Sequence, residues 1–378
     1  MTLTSVELFA GAGGMALGLH RAGFRAVALV ERDADACATL RAAVESGRLC
    51  GEVIEGDAST VDLRAFVGAD LVAGGPPCQP FSSAGKGEGA DDSRDGWPAF
   101  VRAVEIVRPR FLLAENVRGF MFAKFDAYRL HVQRQLEALG YSLRVGLLNA
   151  ADFGVPQTRQ RVFILGARDG EPPPWPARTH HDPSRGRSLF GATAPWVSAG
   201  EAVGLGRAAM SIRLEVGANR GREGGARMEW SGPSTPALAV RTAGGGSSVQ
   251  FARLETLGGN PSRHQCRIVS NQYADGERRT RGLDEPAEVV MTIPPVVLGA
   301  SASVAQSRHD SARPAVDGAP FRAPWQWRAA WQAFPCEVIA PGVVDVLWPF
   351  AGNRGAVDRQ IGNAAPPRLV EALAGELR

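Results

Sequence analysis

The chain has almost no lysine. Lys86 and Lys124 are the only two among 42 basic side chains, so nearly all of its positive charge is arginine. Arginine forks onto phosphates and guanine edges where lysine acts as a point charge, although GC-rich coding alone produces the same bias. The net charge is only +3, too little to establish a polyanionic partner. No C-x-x-C pair exists among Cys37, Cys50, Cys78, Cys266 and Cys336, which argues against a zinc site, and no metal is expected. Their odd number and scatter also argue against a disulfide framework, leaving one of them available as a catalytic thiol. No apolar run is long enough to span a bilayer. The N-terminus lacks the basic segment and apolar stretch of a secretory signal, so a cytoplasmic protein is expected. What is present, 44% hydrophobic and 21% charged residues over 378 positions, is ordinary for a globular protein large enough for two domains.

The first part of the chain alternates between two periods. Short apolar runs at 5–10, 25–30, 53–55, 70–73 and 111–114 read as strands. The segment at 143–147, with Leu143, Val145 and Leu147 alternating, and the run at 161–166 add two more. Helical spacing appears at 15–22, stopped by Gly23, and after Asp33, where Cys37, Leu40 and Val44 share a face. Further helices are predicted at 97–107, 125–139 and 367–377. Alternation of this kind predicts an α/β fold, a mostly parallel Rossmann-like sheet with helices on both faces. From the proline cluster at 171–176 to about 323 the chain is rich in Gly, Pro, Ser and Arg and has no long periodic helix. This predicts a smaller, irregular β-rich domain. A weak echo between 232–240 and 283–290 is too short to be a repeat unit. The expected domains are 1–177, 178–322, and a return to the first domain over 323–378.

Three features point to a nucleoside ligand. Val6-Glu-Leu-Phe-Ala-Gly-Ala-Gly-Gly14 is a strand entering a glycine turn and then a helix. Its spacing is not the G-x-G-x-x-G of dinucleotide sites. Glu31 ends the second strand, where a carboxylate can accept from ribose hydroxyls, and Asp57 follows the third, where it can meet an adenine amine. A solvated helix cap is the plain alternative for either. Together, at the carboxyl ends of neighbouring strands, they favour an adenosine cofactor without a phosphate tail, S-adenosylmethionine over NAD.

After the fourth strand comes Gly74-Gly-Pro-Pro-Cys-Gln-Pro-Phe-Ser82. The prolines stiffen this loop and hold the Cys78 thiol outward. Glu115-Asn-Val117 ends the fifth strand, and Gln157-Thr-Arg-Gln-Arg161 stands at the next strand edge. A thiol, a carboxyl group and two guanidiniums at adjacent strand ends make a candidate reaction centre. For the two arginines, surface solvation or phosphate binding is the alternative.

With these segments in place, the chain resembles the DNA (cytosine-5) methyltransferase family, of the bacterial modification type. The matching stretches are Glu7–Gly14, Gly75-Pro-Pro-Cys-Gln-Pro80, Glu115–Val117, Gln157–Arg161 and Gln360-Ile-Gly-Asn-Ala-Ala-Pro-Pro367, in family order. They cover 1–167 and the C-terminal stretch. The resemblance implies that Cys78 adds to carbon 6 of a flipped-out cytosine, activating carbon 5 toward the sulfonium methyl. It implies that Glu115 contacts ring N3 and the exocyclic amine, and that Arg161, with Arg159, holds O2 and the reacting loop. It assigns Phe9, Gly11, Gly13 and Gly14 to the methionine end of the cofactor, Glu31 to the ribose and Asp57 with Ala58 to the adenine. Pro77 and Asn363 approach from the other side, although Asn363 also reads as a turn residue. The loop at 81–95 is expected to close over DNA, with Gln79, Ser82, Lys86 and Arg94 as contacts.

Residues 178–322 take the place of the family's target-recognition domain. Arg278, Arg279 and Arg281 are candidate phosphate or guanine contacts, or a solvated loop. The stretch at 237–246 competes with 276–287 as the base-reading loop. Two departures stand out. An Arg-Glu pair usual before Phe334-Pro335 is absent, with Trp327 at the Glu position, and a Thr usual near the reading loop is replaced by Val289 or Val290. The expected partner is duplex DNA at a short specific site, with no membrane, a monomeric chain and a cognate restriction endonuclease left open. The competing readings are an RNA cytosine-5 methyltransferase, disfavoured by the large recognition region, and a catalytically silent DNA-binding regulator. An NAD-dependent oxidoreductase is disfavoured by the glycine spacing.

Overall fold

The structure is a computed structural model. It describes residues 2–77, 95–183, 193–204, 325–340 and 343–378, with the backbone of short strands at 211–212, 237–238, 250–256 and 264–270. Cys78, Gln79, Ser82, Lys86, Arg94, Arg278, Arg279, Arg281, Val289 and Val290 lie outside the described residues, as does most of both stretches of the internal echo.

The chain divides into two compact units. The first comprises 1–154, 159–194 and 348–378; the second comprises 155–158 and 195–347. The first unit is built on strands β1 Thr4–Leu8, β2 Arg25–Glu31, β3 Glu52–Glu55, β4 Leu71–Gly74, β5 Phe111–Val117 and β6 Ser142–Asn149. After the two-residue β7 Gln157–Thr158, which belongs to the second unit, β8 Gln160–Ala167 completes the sheet. The order is β3-β2-β1-β4-β5-β8-β6. Pairing from β3 through β5 is parallel, and β8 runs antiparallel to both neighbours. The predicted mostly parallel α/β sheet is therefore the architecture found.

Both faces are covered. Val6, Leu8, Val30, Val72, Leu112 and Ile164 pack with Trp97, Phe100 and Val104 of α3 Trp97–Val107 and Val132 and Leu136 of α4 Asp126–Ala138. The alternate positions Leu29, Leu71, Leu113, Phe163 and Leu165 are also buried. Helices α1 Gly14–Arg21 and α7 Pro367–Gly375 press so closely that a Cβ on Gly18 would sit 2.6 Å from the Pro367 carbonyl oxygen. Helix α2 Ala34–Glu45 starts on the Asp33 side chain, which accepts from the Ala36 N–H, the cap expected from the sequence.

Some boundaries differ from expectation, for physical reasons. β1 stops at Leu8 because Phe9 takes a left-handed backbone, φ 55°. β5 continues through Val117, so Glu115 and Asn116 lie inside the strand, held by pairing to Phe163 and Val162. Helix α6 Arg354–Asn363, capped by Asn353, is additional to the predicted helices and makes Asn363 a helix terminus instead of a turn residue.

In the second unit, α5 Trp325–Trp331 packs Trp327 and Trp331 at 6.0 Å and 66°. The Trp331 indole N–H donates to the Ala199 carbonyl at 3.1 Å. The Gln157 amide donates to the Trp331 carbonyl at 3.3 Å and to Gln332 Oε1 at 2.8 Å. Trp327, one of the two departures noted in the sequence, is a buried apolar anchor. The return to the first unit, expected at 323, falls at Trp348, because α5 and the hairpin Cys336–Ala340/Val343–Val346 pack in the second unit.

β1 also carries a buried carboxyl. Glu7 is 1% exposed, and its nearest polar partner is the Ser5 hydroxyl at 3.5 Å. Burial pushes its carboxyl up to about 8. A raised carboxyl holds its proton in the folded state and loses it in the unfolded chain, so stability falls as pH rises from about 4.5 to about 8. Glu7→Gln is expected to flatten that dependence and gain roughly a few kcal/mol over the natural chain by pH 8. Thermal unfolding from pH 5 to 8 measures this; parallel curves for both proteins would contradict it.

Candidate active site

The glycine turn separates into packing positions and an open one. A Cβ on Gly14 would lie 2.5 Å from the Ala365 carbonyl oxygen. Gly13, at φ 81°, is bounded by Leu40, Leu49 and Trp348, and the Trp348 indole donates to the Ala12 carbonyl at 2.9 Å. The bare faces of these two glycines are filled by the protein itself. Gly11, at φ 53°, has nothing within 4 Å of where a Cβ would stand. Of the glycines expected to line a ligand, Gly11 is thus the one with space beside it.

The Gly11 N–H donates to Glu31 Oε2 at 2.8 Å. The backbone N–H groups of Arg32 and Asp33 each donate to Glu31 Oε1 at 2.8 Å. Three donors fix this carboxylate at the end of β2, and a carboxylate's roughly four lone-pair positions leave room for a ligand hydroxyl. Asp57 is exposed after β3, and its Oδ1 accepts from the Ser59 N–H and hydroxyl at 2.8 and 2.6 Å. Those bonds hold its carboxyl below the usual carboxylate range. Ala58 beside it is buried. Phe9 and Pro77 meet over Gly96, where a Cβ would come within 2.4 Å of Pro77 Cδ and 3.1 Å of the Phe9 ring. Gly96 is not among the residues expected from the sequence; its position directly before Trp97-Pro98, a helix start, is the signal that could have found it.

The stem of the Cys78 loop is tied on both sides. The Gly96 N–H donates to the Pro77 carbonyl at 3.1 Å. The Asn116 amide, from inside β5, donates to the Pro76 carbonyl at 3.2 Å. Asn116 is buried, and the sequence gives it no role beyond its place in the Glu115–Val117 motif. On the far side of the loop, the Tyr128 hydroxyl donates to Asp95, and Asp95 accepts from the Trp97 N–H at 3.1 Å. Cys78 itself follows this stem directly in the chain.

The same stem faces Glu115. A Cβ on Gly75 would lie 3.4 Å from Glu115 Oε2, while Oε1 is ion-paired to Arg161 Nε at 2.8 Å. The side chains are 12% and 14% exposed, so water screens the pair little. Burial pulls the Arg161 guanidinium below its ordinary range, and Glu115 opposes that shift. β5–β8 pairing enforces the contact, since Val117 is in register with Arg161. Arg159 has a different place. It is 1% exposed, and its Nη2 donates to the Gly362 carbonyl at 2.9 Å. The arginines expected to act together thus part: Arg161 stands against Glu115, and Arg159 holds the last turn of α6, next to Asn363.

Among the described residues, no group of three or more His, Cys, Asp or Glu side chains is arranged to hold a metal ion. No helix among them is long and apolar enough to cross a membrane.

Residues 3–201 match the family described as C-5 cytosine-specific DNA methylase. That match takes in more than half of the chain, and the protein belongs to this family. It is 47% identical over 169 residues to the Type II methyltransferase M.NgoMIV of Neisseria gonorrhoeae, covering 45% of this chain and 53% of that one. It is 44% identical over 191 residues to the Type II methyltransferase M.NaeI of Lentzea aerocolonigenes, covering 50% and 46%. The chain thus spans about half the length of these curated relatives. Two solved structures share the fold. A protein encoded within an E. coli prophage superposes with a TM-score of 0.53 at 20% identity, covering 99% of this chain and 98% of that one. The S. pombe Dnmt2 methyltransferase gives 0.54 at 16%, with the same coverage.

The glycine turn allows two variants to be compared directly. Gly14→Ala is expected to cost roughly 3 kcal/mol, because a methyl meets a backbone carbonyl that cannot move alone. Gly11→Ala is expected to cost about 1 kcal/mol, from its left-handed backbone only. Thermal unfolding compares them, and equal losses would contradict the assignment.

Proposed function

We propose that this protein transfers a methyl group from S-adenosylmethionine to carbon 5 of a flipped-out cytosine in a short, specific duplex DNA sequence. The observation that carries the reading is the half-buried Glu115–Arg161 pair beside the Gly75-Pro-Pro stem, which leads without interruption into Cys78. Family membership narrows the chemistry such a trio would perform.

The cofactor reading rests on the shape and donor set at the sheet's carboxyl edge. Gly11 has open space, Glu31 and Asp57 offer fixed acceptors at adjacent strand ends, Phe9 and Pro77 supply apolar surface, and Ala58 lies buried beside Asp57. This set fits an adenosyl group, with Glu31 on the ribose, Asp57 on the adenine amine, and Pro77 and Asn363 approaching from the other side. When bound, S-adenosylmethionine supplies a methyl group on a positively charged sulfur. The chain does the rest. Carbon 5 of cytosine is a weak nucleophile, and addition of the Cys78 thiolate to carbon 6 converts the ring to an enamine. Glu115 holds ring N3 and the exocyclic amine as charge develops there. Arg161 holds O2 and keeps Glu115 oriented. Arg159 acts by position, fixing Gly362 and with it the end of α6. Loss of the carbon 5 proton and elimination of Cys78 release the product. A base inside the duplex cannot reach these groups, which is why it must be flipped out.

The proposed working form is a monomer inside the bacterial cell that acts on duplex DNA. Arg278, Arg279 and Arg281 are proposed recognition contacts, and Gln79, Ser82, Lys86 and Arg94 proposed contacts of the loop beyond Cys78. The recognition domain is proposed over 178–322.

Bisulfite sequencing of DNA from cells expressing the protein tests the reaction: methylated cytosines in one short context are expected, and unmodified DNA would refute it. Cys78→Ser is expected to abolish transfer while S-adenosylmethionine still binds. Retained transfer would reject the nucleophile. Glu115→Gln is expected to slow single-turnover transfer by about 10² to 10⁴; an unchanged rate would reject its role.

A further inference from the structure

From the turn that follows β5, we infer a duplex-DNA docking edge formed by Met121 and Phe122, flanked by Arg118 and Lys124, beside the reaction centre. This rests on the DNA reading above and names a surface that the catalytic groups do not include.

The turn is built to present apolar side chains outward. Two 3-10 turns, Arg118–Met121 and Ala123–Phe125, follow Val117 directly. Phe120 is fully buried and stacks on Trp97 at 5.3 Å and 20°. Its carbonyl accepts from Arg129 Nη1 at 2.8 Å. Phe125 is buried on the other side. Between these anchors Met121 and Phe122 are 38% and 46% exposed. The backbone cannot easily fold them inward: the Phe122 N–H donates to the Gly119 carbonyl, and the Phe122 carbonyl accepts from the Phe125 N–H. A segment that buries Phe120 and Phe125 yet holds their apolar neighbours in water implies a partner for those neighbours.

Position and charge identify it. The turn leaves the carboxyl end of β5, two residues beyond the Glu115–Asn116 pair, on the edge where Arg161 enters β8. Arg118 and Lys124 flank the apolar pair and are exposed. Lys124 Nζ lies 4.6 Å from the Phe125 ring centroid, which holds its charge at the rim. Asp126, two residues beyond Lys124, is ion-paired to Arg129 at 2.5 Å. An apolar pair between two cations is complementary to a nucleic-acid groove edge, where phosphates line the sides and sugars and base edges form the floor. Met and Phe are among the side chains that wedge against base steps in the minor groove, and each cation that neutralises a phosphate releases counterions.

The experiment uses the full chain, a duplex carrying its methylation site, and three variants: Met121→Ala/Phe122→Ala, Arg118→Ala/Lys124→Ala, and Phe122→Trp. The apolar double variant is expected to weaken duplex binding about tenfold or more, with S-adenosylmethionine affinity and melting temperature unchanged. Phe122→Trp, which keeps an aromatic wedge, is expected to retain most of the natural affinity. The charge variant is expected to lower the slope of log K against log salt by about 0.9 for each phosphate no longer neutralised. If the natural protein methylates DNA but both double variants bind duplex as it does, with the same salt slope, the inference is overturned. It is overturned too if the apolar variant loses only structured RNA binding, or only self-association by sedimentation. A natural protein that methylates no DNA would instead refute the reaction proposed above, a separable outcome.

Discussion

The constraint on which the rest depends is the neck that closes the stem of the Cys78 loop. A chain that leaves β4 at Gly74 and must enter α3 at Trp97 has two ends to hold. Here the backbone itself holds them, through the Gly96 N–H on the Pro77 carbonyl. Only a residue without a side chain lets Pro77 and Phe9 approach Gly96 this closely. Asn116 adds a second tie, from the interior of β5 to Pro76. Buried amides of this kind are effective because an unmet alternative would be costly. The two prolines limit what remains of the backbone's freedom. The residue that follows is therefore carried on a stem whose direction is set by the sheet.

The electrostatics follow from that geometry. Glu115 and Arg161 are diagonal neighbours on paired strands, Arg161 lying opposite Val117 and Glu115 opposite Phe163, so the sheet's hydrogen bonds bring their backbones together before any side-chain preference acts. A pair held this way loses little entropy on forming, and its low exposure keeps it unscreened. Charge developing on a bound ring would meet groups already in place, the condition for electrostatic catalysis. The same logic applies at β2, where three backbone N–H groups fix Glu31 before any ligand arrives.

Much of this is legible in the sequence. Alternating strand and helix periods point to the parallel sheet, since period is a direct record of which face is buried. Glu31, Asp57, Glu115 and Arg161 stand out because each falls at or next to the end of a strand read from the sequence, and strand ends in an α/β sheet converge, although β5 in fact runs on past Glu115 to Val117. Other features are hidden for physical reasons. Asn116 and Gly96 act through backbone contacts that depend on which segments meet in space, and spacing does not encode that. The division of labour between Gly11 and its neighbours Gly13 and Gly14 also depends on distant residues, Leu40, Trp348 and Ala365. Arg159 looks like Arg161 in the sequence, but Arg161 lies on β8 and Arg159 just before it, so their side chains go to different partners. Helix α6 escapes notice because its apolar face is short and its cap, Asn353, lies in a stretch of turn-forming residues. Trp327 reads as a departure from the family, and its physical content is that the second unit uses aromatic packing at that place.

The central claim is that a thiol carried on this stem adds to a pyrimidine ring held by Glu115 and Arg161. Target duplex containing 5-fluorocytosine tests it most directly, since fluorine at carbon 5 cannot leave as the proton does. In the presence of S-adenosylmethionine the account predicts a denaturant-resistant adduct that forms with the natural protein and not with Cys78→Ser. Methylation of ordinary DNA without any such adduct would contradict it.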